Sequence, residues 1–193
     1  MWYNFNDVIV MNQKNYDILT NEQADYLLNL PKKIVENNIL LDVITINQQF
    51  PFNRRFELVA ESDDEFTFLW EIQQSKKNTI RINLHYQEND SKTGLLRIDY
   101  NSGHTNPETV TEFVPSQFHP YAGKVFSNSE HHIHYHVQGY KSLAWAIPLV
   151  DNEFEVKELS EGADFNNTLA KAIRLFAQTI NIETTITINT LLL

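Results

Sequence analysis

Residues 127–140 read SNSEHHIHYHVQGY, which places His131, His132, His134 and His136 within six consecutive positions. Imidazole takes up or releases a proton near neutral pH and also ligates divalent metals. In a strand, successive side chains point to opposite faces. His132, His134, His136 and Gln138 then share one face, and His131, Ile133, Tyr135 and Val137 share the other. The first face is almost purely imidazole; the second is mixed and suits a core.

The same parity holds in two earlier segments. In TIRINLHYQ, Ile80, Ile82, Leu84 and Tyr86 fall on one side, with Arg81, Asn83 and His85 opposite. In GLLRIDYN, Leu96, Ile98 and Tyr100 fall together, with Arg97 and Asp99 opposite. If the strands pair with their apolar sides aligned, the polar residues form one concave or open surface, with His104 just past the strand that carries Asp99.

Such a surface has the parts that phosphodiester chemistry requires. His132 and His134 are expected to act as base and acid. Arg97 and Arg81 would hold a phosphate and offset its developing charge. Asp99 and His104 would orient the imidazoles, and Asn83, His85 and His136 would contact substrate. No cofactor is required. The competing chemistry is a divalent metal held by His132 and His134, completed by Asp99 or His104. A solvated antiparallel sheet normally has a polar outer face, so Arg81, Asn83 and Arg97 say little by themselves. Three alternating imidazoles are a less ordinary way to solvate a sheet. His131 has the parity of the core face, and His119, in FHPYAG, is expected in a loop.

The elements that must position these groups are short. TNEQADYLLNL predicts a helix, with Thr20 and Gln23 as a capping box and Pro31 as its stop. KKIVENN is expected to form a second short helical piece. ILLDVITI (39–46), RRFELVAE (54–61), EFTFLWEIQ (65–73), TIRINLHYQ (79–87) and GLLRIDYN (94–101) read as strands of an antiparallel meander. HHIHYHVQ and SLAWAIPLV read as a later hairpin turning near Gly139. Between the two sets, 104–128 is expected to be a long functional or mobile loop. NNTLAKAIRLFAQTI places Leu169, Ile173, Phe176, Ala177 and Ile180 on one helical face, and TTITINTLLL alternates like a terminal strand or hangs loose. The expected fold class is α+β: a twisted antiparallel sheet, meander plus later hairpin, flanked by an N-terminal and a C-terminal helix, with 1–193 as one domain.

Composition limits the chemistry further. The 193 residues contain no cysteine, which excludes disulfides, thiolate catalysis and Cys-type zinc sites. No run approaches the roughly 20 apolar residues of a membrane helix. The first residues, MWYNFNDVIV, lack the pattern of a signal peptide, so a cytoplasmic protein with no membrane partner is expected. A net charge of −10 repels polyanions overall, so any nucleic-acid contact must be local.

LLRIDYNSGHTNP, then the histidine strand, QGY and LAWAIPL together resemble an uncharacterised bacterial and mobile-element family catalogued as domain of unknown function 6978. NEQADYLLNLPKK is similar to that family's opening helix. The resemblance covers roughly 20–182 and rests on the order of short motifs. Through it Arg97, Asp99, His104, Asn106, Pro107, His132, His134, Gly139, Tyr140, Trp145, Ala146, Pro148 and Leu149 fill family positions, and Asn106 joins the expected substrate contacts. Gln138 stands where the family tends to have Glu, and His136 where it tends to have Tyr. The order Arg-x-Asp…His…His-x-His in 95–136 is also loosely similar to toxin components of toxin–antitoxin pairs. That likeness implies an RNA- or nucleotide-directed, endoribonuclease-like activity in genetic conflict, with an antitoxin as protein partner. The alternative expectation is a non-catalytic acidic protein of a phage or mobile element that occupies a basic groove on a host defence protein.

Overall fold

A computed structural model describes residues 19–48, 51–60, 63–75, 79–88 and 91–190. The chain opens with helix α1 (Asn21–Asn29), where Thr20 and Gln23 form the capping box and the helix ends just before Pro31. An eight-stranded antiparallel sheet follows. Its members, introduced in chain order, are β1 (Lys32–Glu36), β2 (Ile39–Leu41), β4 (Asn53–Ala60), β5 (Asp63–Gln74), β6 (Ile80–Glu88), β7 (Ser91–Tyr100), β10 (His132–Tyr135) and β11 (Trp145–Pro148). The spatial order is β11-β10-β7-β6-β5-β4-β1-β2. The meander and the later hairpin are present as the sequence predicts, the meander with four consecutive strands (β4 to β7), and the hairpin joins its β7 edge. Helix α2 (Phe165–Thr179) buries Leu169, Ile173, Phe176 and Ala177, the face read from its periodicity.

Two local expectations fail. KKIVENN is not helical: it forms β1 and the turn into β2. Asn37 and Asn38 both take positive φ, at 52° and 61°. Asparagine tolerates that region, and two such residues make the tight turn that matches strand twist. Ile34 and Val35, β-branched, fit the strand instead. ILLDVITI is likewise not one strand. It divides at Asp42 into β2 and β3 (Val43–Gln48), and β3 pairs in parallel with β12 (Thr185–Thr190) in a separate two-stranded sheet. The terminal alternation is therefore a strand; the final LLL, 191–193, lies outside the described residues.

The apolar side of the large sheet includes Phe56, Leu58, Phe68, Trp70, Ile82, Leu84, Leu96, Ile98 and Ile133, which join Leu169, Ile173 and Phe176 of α2 in one cluster. Lys32 is fully buried beside it, donating to the carbonyls of Leu28, Leu30 and Ile180 at 2.9, 2.7 and 3.0 Å. This amine binds the C-terminal ends of both helices to β1, where carbonyls lack intrahelical donors.

The polar side is also covered. Within 104–128 the chain forms β8 (His104–Thr105), a 3-10 turn (Ser116–Tyr121) and β9 (Val125–Phe126), with β8 and β9 paired. Phe126, Leu143 and Ala146 are buried yet fall outside the main apolar cluster. They belong to a second, smaller interior on the imidazole side. Asn106 anchors it at the rim: its Oδ1 accepts from the Ala146 amide at 2.9 Å and its Nδ2 donates to the Ala146 carbonyl at 2.8 Å. One amide side chain thereby does for edge strand β11 what a further strand would do. Among the described residues, no helix is long and apolar enough to cross a membrane.

Candidate functional site

Strand register brings the predicted groups together. His134 lies opposite Arg97 and His132 opposite Asp99. On the other flank of β7, Arg97 lies opposite Asn83 and Asp99 opposite Arg81. Matching parity across paired strands puts all six on one face.

Asp99 is the centre of the group. Its Oδ1 is 3.1 Å from Arg97 Nε and 3.7 Å from Arg81 Nε. Its Oδ2 is 3.3 Å from His134 Nε2 and 3.7 Å from His132 Nε2. Arg97 also brings a terminal nitrogen to 2.8 Å from His134 Nε2. His104 packs edge-on against His134 at 4.4 Å between ring centroids, and Phe126 covers His132 at 4.6 Å.

The expected open surface is instead an interior. Asp99, His132 and His134 are all buried. Arg97 retains 22% side-chain exposure and Arg81 46%, so the guanidinium groups form the boundary with solvent. Arg81, held by Ser102 Oγ at 3.2 Å, lines an open cleft of about 410 Å³ with Thr79, Asn101, Gly103, Asn128 and Ser129.

Burial decides the protonation states. It pulls the His134 ring down to about 3, against the favourable influence of Asp99. Burial also lowers His132 and His104. For Asp99 burial acts upwards, but the charges of Arg97 and Arg81 outweigh it, and the carboxyl stays below its ordinary range. The site at neutral pH is thus an anionic carboxylate, two arginine cations and neutral imidazoles. Neutral rings serve as bases or metal ligands. The protonated imidazole that a two-histidine exchange requires is disfavoured here.

Of the remaining predicted residues, His104 stays against the cluster and the others fall elsewhere. His85 pairs with Glu71 at 3.2 Å, beyond a bulge between Leu84 and His85, and Arg55 holds the same carboxylate from 2.6 Å. This neighbouring lane contains Glu71, which the reading of candidate residues missed. The alternation in EFTFLWEIQ was its available signal, with Phe66, Phe68, Trp70 and Ile72 on one parity and Glu71 on the other. His136 lies past the end of β10 and donates to the Leu19 carbonyl at 2.8 Å, tying α1 to the sheet rather than joining the cluster. Asn106 is occupied with β11. His104 donates through Nε2 to the Ala144 carbonyl at 2.9 Å. His131 accepts from the Asn101 amide at 3.2 Å on the side of Tyr100, and His119 sits in the 3-10 turn, donating to the Val114 carbonyl at 2.9 Å.

A family model described as a family of unknown function, DUF6978, matches residues 19–182. The chain belongs to this family. The match takes in α1, the meander, the covering segment and the histidine hairpin, so the cluster lies wholly inside the shared region. No curated protein and no solved structure matches the chain.

Proposed function

We propose that the protein acts on a nucleotide or RNA phosphodiester, in the bacterial genetic-conflict setting that its Arg-x-Asp…His…His-x-His order implies. The observation that carries this reading is the position of Arg81: half exposed in the cleft, yet within 3.7 Å of the carboxylate that both imidazoles approach. A phosphate gripped in the cleft by Arg81 comes up against Arg97, and the two cations offset charge that develops on its oxygens. Once Arg97 moves aside and water enters, one imidazole behind it accepts the proton of the attacking hydroxyl or water as that oxygen bonds to phosphorus. Asp99 stabilises the imidazolium so formed, and the bond to the leaving oxygen breaks as it takes a proton from water in the cleft. Arg97 must shift to open the path, because His132 and His134 are sealed.

Untagged protein is incubated with oligoribonucleotides and a nucleotide panel. Cleavage is expected, and Arg81→Ala should lower kcat/KM roughly 100-fold or more while leaving the melting temperature nearly unchanged. Intact substrates throughout would sink the proposal.

The same burial favours a second reading. A sealed, internally neutralised cluster suits a non-catalytic acidic protein of net charge −10 that binds a basic groove on a host protein. Replacing surface acids should then weaken partner binding, and Arg81→Ala should leave it intact.

A further inference from the structure

At the heart of the cluster, acceptors face acceptors. His132 Nδ1 donates to the Glu130 carbonyl at 2.8 Å, and His134 Nδ1 donates to the Leu143 carbonyl at 2.9 Å. A carbonyl only accepts, so these bonds fix both tautomers and turn both Nε2 lone pairs inward. Both lone pairs meet Asp99 Oδ2, and one ligand atom from each of the three residues lies within 4.8 Å of the others. Among the described residues, His132 Nε2 is buried with no hydrogen-bond partner, and Asp99 Oδ1 is met only by its ion pairs with Arg97 and Arg81. Leaving such atoms unsatisfied is costly, and lone pairs directed at a carboxylate repel it. Arg97 reaches Asp99 and His134 from the margin but not His132, whose inward lone pair meets no cation among the described residues.

The geometry points to a divalent transition-metal site of the zinc class, with His132 Nε2, His134 Nε2 and an Asp99 oxygen as ligands and Arg97 displaced towards solvent. Two nitrogens and one carboxylate suit zinc and its neighbours, whereas magnesium and calcium take oxygen shells. Metal-bound histidines characteristically donate their other ring nitrogen to a carbonyl or carboxylate, which both rings here already do. Three protein ligands leave a fourth position for water or substrate. Tetrahedral zinc needs ligand atoms roughly 3.3 Å apart, given bonds near 2.05 Å. The His134–Asp99 pair meets that spacing at 3.3 Å, and the His132–Asp99 pair, at 3.7 Å, must close by a few tenths of an ångström. The two ring nitrogens, within 4.8 Å of each other, must close by up to about 1.5 Å. Arg97 has a way out, being 22% exposed. Metal and guanidinium then compete for the same lone pair and carboxylate, so Arg97 is a resident substitute for the ion. This site draws on the same Nε2 lone pairs that the phosphodiester reading uses to accept a proton, so an occupied metal site and that proton transfer exclude each other.

Metal-stripped, untagged full chain is titrated with Zn²⁺ and Co²⁺ in the absence of substrate, with Mg²⁺ as control. One equivalent of Zn²⁺ should bind, Co²⁺ should give the visible absorption of a low-symmetry four-coordinate site, and Mg²⁺ should not bind. His132→Gln and Asp99→Asn should each weaken Zn²⁺ binding by at least roughly 100-fold. Arg97→Met should tighten it, an effect that loss of a merely structural cation would not produce. If a ligand variant fails to fold, the wild-type cobalt spectrum and Arg97→Met carry the test. No saturable equivalent in wild type or Arg97→Met, or undiminished binding by a folded His132→Gln, would overturn the site. Stoichiometric zinc without cleavage would count only against the phosphodiester reading, and cleavage by protein that binds no metal only against this one.

Discussion

Acidification from pH 7 to pH 5 should destabilise the protein, and His134 alone should account for about 2 kcal/mol of the loss. In the unfolded chain this ring titrates near the ordinary value of about 6.5. In the folded protein burial holds it at about 3. Between those values the unfolded state binds the extra proton, so stability rises with pH. The contribution is fully present above the unfolded value and is lost progressively as pH falls towards the folded one. Its slope approaches about 1.4 kcal/mol per pH unit near pH 5. His85, His104, His131, His132 and His136 are lowered as well, chiefly by burial, and add in the same direction. Urea unfolding of metal-free protein at pH 8, 7, 6 and 5 measures the slope. His134→Asn keeps a short donor for the Leu143 carbonyl but cannot titrate, so its curve should be flatter than wild type by about one proton below pH 6. Identical slopes for the two proteins would refute the argument, because the ring would then carry the same charge folded and unfolded.

Two further outcomes follow from the buried charges. Asp99→Ala should cost about 3–5 kcal/mol by leaving Arg97 without its anion, and Asp99→Ala/Arg97→Met should cost clearly less than the sum of the single changes; additive denaturation midpoints would refute the coupling. Lys32→Met should cost about 3 kcal/mol, since it strands three carbonyls at two helix ends, and an unchanged melting temperature would show that those carbonyls find other donors.

Much of the site was legible because alternation in a strand is local. TIRINLHYQ and GLLRIDYN each carry a clean apolar parity, so Arg81, Asn83, Arg97 and Asp99 had to share the opposite face once the strands paired. The same rule placed His132 and His134 beside Asp99 and Arg97. It failed for His136, which follows the last residue of β10: its amide still bonds the Leu95 carbonyl, but its ring turns to the Leu19 carbonyl. His85 keeps the predicted face and meets Glu71 there, although the facing strand β7 carries an extra residue at Leu95 that local pattern does not reveal. KKIVENN misled because seven residues are too few to separate a helical from a strand period, and the decisive sign was the Asn37–Asn38 turn.

By itself the sequence determined the meander, the capped first helix, the amphipathic last helix and the grouping of imidazoles with Asp99. Only the tertiary structure decided that this polar face is an interior. Phe126 over His132, and Asn106 on the edge of β11, are contacts between segments far apart in the chain. No local period encodes them. Exclusion of water by that cover keeps the imidazoles neutral and turns an ordinary polar sheet face into a set of converging lone pairs.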